Sequence, residues 1–168
     1  LADSSLNSDF GIIEALSDCA LLRQKVHGII LMADLGTGRE GLPPDQLPPI
    51  CRTIRSLAGI RLMGIGAYYH LGSAREIHQK GLESFVAASR LIERELGEPL
   101  PVLSGGSSNI FRTLLIDGHP NPGVNHLRVG TAVLLGFRSS LDPVALPGYE
   151  RDTFLLEAEL IEKKPGGS

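Results

Sequence analysis

Gly105, Gly106, Ser107 and Ser108 stand together in VLSGGSSN (102–109), between one apolar run and the next. Two glycines would let the backbone pass close to a ligand. Two serines at the start of a helix would turn hydroxyls and free N–H groups toward an anion. A phosphate suits that set, although an ordinary strand-to-helix turn with a serine N-cap accounts for it equally well. A second group of donors lies in LRVGT (127–131), where Gly130 and Thr131 could offer their amides to the same phosphate. Arg128 would then reach toward the ligand's other end, or else form a surface ion pair. In DLGTGREG (34–41) glycines surround Arg39, whose guanidinium could grip a carboxylate with two parallel hydrogen bonds or stay solvated on a flexible turn. Asp34 and Glu40 are the nearest carboxylates, expected as a turn-former and a solvated side chain. Tyr68 and Tyr69 follow another apolar run and could line a pocket, or pack as rim residues.

Other chemistry is poorly supported by spacing. His27, His70, His78, His119 and His126 include no i, i+4 pair, so no metal site is expected. Cys19 and Cys51 lack ligand spacing and read as reduced core thiols, which fits a cytoplasmic setting. A net charge of -3 without a basic run argues against a nucleic-acid surface. No apolar run approaches the ~18 residues that suggest a membrane span, and the N-terminal stretch lacks the order of a secretory signal. A small molecule is the expected partner, with no nucleic acid and no membrane.

These groups need elements to hold them. VHGIILMADL (26–35) is a nearly unbroken apolar run, as expected of a strand covered on both faces, and IRLMGIGAYY, PVLSGG and VNHLRVGTAVLLGF begin similarly. LADSSLN reads as the end of a further strand. Between the strands, Ile12, Ile13, Leu16 and Ala20 would share one helix face after a Ser8 cap. Leu82, Phe85, Val86 and Ile92 would share another before Gly97. A helix within 44–58 should begin at Pro48 and Pro49, because proline is tolerated only in the first turn.

Strand–helix alternation at a period of roughly 30 residues marks parallel βαβ units. All the polar motifs fall at strand C-terminal ends, where (β/α)8 barrels place their active sites, often with a phosphate after the last two strands. The expected fold is therefore α/β, a partial TIM barrel of roughly strands four to eight over residues 1–138. A linker over 139–151 and the start of a C-terminal β domain over 152–168 complete the expected organisation.

ADSSLNS, IILMADLGTGREGL, LMGIG, LSGGSSN, VNHLRVGTAVLLG and LLEAELIEKKP, in that order, resemble the alanine racemase-like family of fold-type III pyridoxal-phosphate enzymes, above all its ornithine racemase-like branch. The resemblance covers nearly the whole chain. It implies pyridoxal 5'-phosphate across the barrel mouth, with Ser107, Ser108, Gly130 and Thr131 around its phosphate and Arg128 facing the pyridine nitrogen. It also puts Arg39 near the substrate carboxylate, and Tyr68 is the other residue expected to line the substrate pocket. An arginine stays protonated and can only donate, so the ring does not become a strong electron sink, and proton removal and return at Cα are favoured over transamination.

The sequence departs from the branch at GGSSN in place of GGNSS, at Ala67–Tyr68 in place of GTN, and at RVGT in place of RIGE. The lysine to which the family bonds its cofactor belongs to a first barrel strand that has no match here. Lys25, Lys80, Lys163 and Lys164 lie in unsuitable contexts, so the chain alone is expected to be an inactive part of an amino-acid racemase acting on ornithine or alanine, assembled as a homodimer. A non-catalytic pyridoxal-phosphate carrier and a cofactor-free barrel for a phosphorylated metabolite are the alternatives.

Overall fold

Seven consecutive residues, His27–Ala33, are all buried and form strand β2, as the apolar run around Ile29–Met32 requires. The computed structural model describes residues 2–68, 75–116, 118–137, 144–155 and 157. Strand β1 (Ser4–Asn7) precedes β2, and β3 (Ile60–Ala67) and β4 (Val102–Ser104) follow it. All neighbours are parallel, and their order in the sheet is β1-β2-β3-β4. Helices α1 (Phe10–Leu22), α2 (Leu47–Arg55) and α3 (Arg75–Leu96) connect them in turn.

Sequential order has a direct consequence. Crossovers between parallel strands are right-handed, so strands added always on the same side place every connecting helix on one face. The core agrees. Ile29, Leu31, Ala33, Ile65, Ala67 and Leu103 share one side of the pleat and cluster with Ile13 of α1, Leu47, Cys51 and Ile54 of α2, and Leu82 and Phe85 of α3. The opposite face carries Ile30, Met32, Gly64, Gly66 and Ser104. Gly66 has no Cβ because Met32 Sδ fills the space, 2.7 Å from where that atom would be. A doubly wound sheet would reverse its order and divide the helices between two faces. This one does neither.

Several expectations change in detail. The cap of α1 is Asp9, whose carboxylate accepts the Ile12 amide at 3.0 Å, and not Ser8. The buried face is Ile13, Ser17 and Ala20, with Ile13 in the core beside the sheet, while Ile12 is 52% exposed. Prolines 48 and 49 do lie in the first turn of α2, after a short 3-10 turn at Pro44–Gln46. Cys51 is buried, and burial pushes its thiol up to about 12, but Cys19 is only half-buried and its sulfur receives Arg23 Nη1 at 2.7 Å.

The stretch 124–128 runs beside β4 without becoming a regular strand; only Ser104 and His126 form a bridge. The side chain of Asn125 intervenes. It accepts the Leu103 amide and donates to the Pro101 carbonyl, both at 2.8 Å, bonds that a ladder would give to the backbone. The Gly105 and Arg128 amides still donate to His126 and Gly106 carbonyls, so the fifth segment is fastened alongside.

Residues from the stretch read as a linker pack back on the domain. Leu146 is buried, and Tyr149 meets Phe111 edge-on at 6.1 Å. Asp152–Leu155 and Glu157 form no strand, and Lys163, Lys164 and the rest of the expected β-domain segment lie outside the described residues, as do Tyr69 and His70.

Candidate functional site at the C-terminal rim of the sheet

The loop after β2 is held at both ends. At its start, Asp34 Oδ1 accepts the amides of Gly36, Thr37 and Gly38 and the Thr37 hydroxyl, at 2.8–3.2 Å. The Thr37 amide, with Gly38 and Gly36 in support, outweighs desolvation and holds the Asp34 carboxyl below its usual range. At its end, Leu42 returns to bridge Ala33, exchanging backbone hydrogen bonds of 2.8 Å with Met32 and Asp34. That return needs Gly41, which has φ +111° and presses against the Ala33 and Asp34 backbone where a Cβ would go. Asp34 is thus the expected turn-former, and the turn presents Arg39 and Glu40 over the rim.

Arg39, Tyr68, Glu40 and Arg128 meet there. The Arg39 guanidinium lies over the Tyr68 ring, 4.1 Å from its centroid, and that of Arg128 is 5.9 Å from the same ring. Glu40 is not a solvated spectator. Its Oε1 receives Arg128 Nη1 at 2.8 Å, across 88 positions of sequence, with both side chains about 30% exposed (27% and 32%). Arg128 Nη2 reaches the Ala67 carbonyl only at 3.5 Å. Its Nε–H is buried without any partner. A buried donor of this kind costs free energy unless something accepts from it.

The two serine and glycine loops also converge. Ser108 is buried at the start of α4 (Ser108–Phe111), and its Oγ accepts the amides of Gly130 at 3.3 Å and Ala132 at 3.2 Å. With two amides at its oxygen, the hydroxyl keeps its proton for donation to a further group. Thr131 begins α5 (Thr131–Leu135), where its amide has no intrahelical acceptor. Ser107 caps α4 through its carbonyl, which accepts the Phe111 amide at 3.0 Å. The sequence expectation put Gly130 and Thr131 amides on the ligand; the structure turns Gly130 and Ala132 to Ser108, and the Thr131 amide has no acceptor among the described residues. Gly105 is small for another reason than a ligand, since Val124 occupies the place of its Cβ.

Every residue singled out for the site and described here lies at the same rim. Lysines do not. Lys25 sits before β2, at the sheet's opposite end, and Lys80 is exposed on α3. Among the described residues no three His, Cys, Asp or Glu side chains gather as a metal site would require, and no helix is long and apolar enough to cross a membrane.

A parallel sheet in sequential order, helices on one face and polar groups gathered at the strand C-termini define an α/β protein. The chain belongs to the family described as alanine racemase, N-terminal domain, whose model matches residues 7–136. It is 33% identical to ornithine racemase of Acetoanaerobium sticklandii over 165 residues, which cover 97% of this chain and 46% of that protein. With lysine racemase of Thermotoga maritima it shares 29% identity over 162 residues, 96% of this chain and 44% of that one. The chain therefore spans about half the length of the curated relatives it matches. The structure of PipY from Synechococcus elongatus, solved with PLP bound, has a similar fold. Its TM-score is 0.65 at 18% identity, covering 77% of this chain and 59% of that one.

Proposed function

We infer that the chain forms the pyridoxal-phosphate-binding rim of an amino-acid racemase of the ornithine racemase kind. The observation that carries this reading is the buried, unpartnered Nε–H of Arg128, set beside the loops that Ser108 joins. The donor set fits the cofactor. Ser108 would hold its phosphate through a hydroxyl proton and Thr131 through its amide, on the loops that Ser107 and Gly130 shape, and Arg128 would donate to its ring nitrogen. Bound there, the cofactor supplies the electron-withdrawing ring that acidifies the Cα–H of an attached amino acid. Arg39 would receive the substrate carboxylate, and Tyr68, on which it stacks, would keep that guanidinium oriented.

On this reading the chain contributes an arc of a (β/α)8 barrel, roughly its fourth to eighth strands, with the residues after 152 leading toward a β domain. Sequential strand order and helices on a single face support the arc. Racemisation then needs a lysine from outside the described residues, as Lys25 lies at the sheet's opposite end and Lys80 is exposed on α3. The same observation favours a second reading, a pyridoxal-phosphate carrier that binds without turnover.

Replacing Ser108 with alanine tests the phosphate site. It removes a hydrogen bond to a charged group and should weaken pyridoxal-phosphate binding by about 1–3 kcal/mol in a fluorescence titration. Unchanged affinity in a folded variant would sink the assignment. Turnover of ornithine by the whole protein, absent from a carrier, separates the two readings.

A further inference from the structure

Among the described residues, Arg39 and Arg128 bring two guanidinium groups to the rim; Asp34 is taken up by its own turn, and the Glu40 carboxylate is given to only one of the two. Arg128 is fixed by Glu40 at Nη1, is weakly engaged at Nη2, and presents a bare Nε–H. Arg39 rests on Tyr68, and among the described residues no carboxylate pairs with it. We propose that Glu40 is a positioning residue. It aims Arg128 so that Nε–H meets the cofactor's ring nitrogen, and it neutralises Arg128 so that Arg39 alone draws the substrate carboxylate. This inference rests on the pyridoxal-phosphate reading above.

The geometry and the charges lead to the same division of labour. A guanidinium is a rigid planar fork, so one charged hydrogen bond of 2.8 Å at Nη1 also sets the direction in which Nε points. Without Glu40, the holds left on Arg128 among the described residues are the long bond from Nη2 to the Ala67 carbonyl at 3.5 Å and the Tyr68 face at 5.9 Å, both weaker than the 2.8 Å charged bond.

Pairing with Glu40 also cancels the charge of Arg128 while leaving its N–H donors intact. A donor of that kind suits a neutral lone pair, such as an unprotonated pyridine nitrogen. An uncompensated guanidinium would instead compete for carboxylates or for the cofactor's own phosphate. Arg39 is the one left uncompensated. Both residues come from the loop that Asp34 and Gly41 fasten, so one backbone segment sets the aim of one arginine and delivers the other.

The test compares two probes on the 168-residue chain: pyridoxal phosphate, and its analogue with CH in place of the ring nitrogen. The wild-type chain should bind pyridoxal phosphate about tenfold tighter, the discrimination expected of one hydrogen bond from a charged donor. Glu40→Ala should bring that ratio close to one by weakening pyridoxal phosphate, while leaving the analogue's affinity unchanged. Glu40→Gln, which keeps a neutral acceptor for Nη1, should give an intermediate ratio, and it carries the test should Glu40→Ala fail to fold.

A wild-type ratio preserved in either variant overturns the role of Glu40, even where Arg128→Lys abolishes the ratio and so upholds the cofactor site. If the wild-type chain binds neither probe, the pyridoxal-phosphate reading itself falls, and the role of Glu40 with it.

Discussion

Arg128→Leu should weaken pyridoxal-phosphate binding by about 10- to 100-fold, the loss of a hydrogen bond from a charged donor worth about 1.5–3 kcal/mol. The leucine fills similar space but offers nothing to an acceptor. It also strands the Glu40 carboxylate, although a group 32% exposed keeps much of its hydration, so the cost to stability should stay below about 1 kcal/mol. Affinity and thermal stability should therefore separate: a large change in the titration, a small one in the melt. Affinity equal to wild type would mean that Nε does not face the ligand. A large fall in melting temperature would mean that the Glu40–Arg128 pair mainly supports the fold.

Gly41→Ala should cost about 2–4 kcal/mol, since it adds backbone strain at φ +111° to a clash with the chain at Ala33 and Asp34. In a domain of this size that corresponds to a fall in melting temperature of about 5–15 °C. Gly38→Ala is the matched control. Gly38 also has positive φ, at +62°, but nothing lies within 4 Å of its Cβ position, so only the strain remains and the loss should be about 1 kcal/mol. Both variants melting alike would show that the close approach of Gly41 to Ala33 does not hold the Arg39–Glu40 loop.

The parts of this architecture that depend on local pattern were legible in the sequence. The buried run Ile29–Met32, the glycine after α3 and the prolines opening α2 each impose their structure within a few residues. The gathering of Arg39, Tyr68, Ser108 and Arg128 at one rim followed from parallel strands alone, because motifs placed after parallel strands must come out at the same end.

What escaped depended on distant partners. Nothing near Glu40 in the chain distinguishes a solvated glutamate from one paired with an arginine 88 positions away. Gly105 looked like a ligand-facing glycine because Val124, which crowds it, belongs to another segment. The run after residue 124 had strand composition, but Asn125 uses its side chain where a strand would use its backbone. Ile12 and Ile13 are adjacent and equally apolar, and only the packing of α1 on the sheet decides that Ile13 is buried and Ile12 exposed.

The central claim is that the rim formed by the ends of β2, β3 and β4 and by the segment carrying Arg128 holds pyridoxal phosphate. Following the backbone amide resonances of the chain during a pyridoxal-phosphate titration tests it most directly. The amides of Ser108, Gly130 and Thr131 and the side-chain Nε–H of Arg128 should shift together, saturably and with one dissociation constant, while those of α1 stay in place. Saturable shifts confined to another part of the molecule, or none at all, would contradict it.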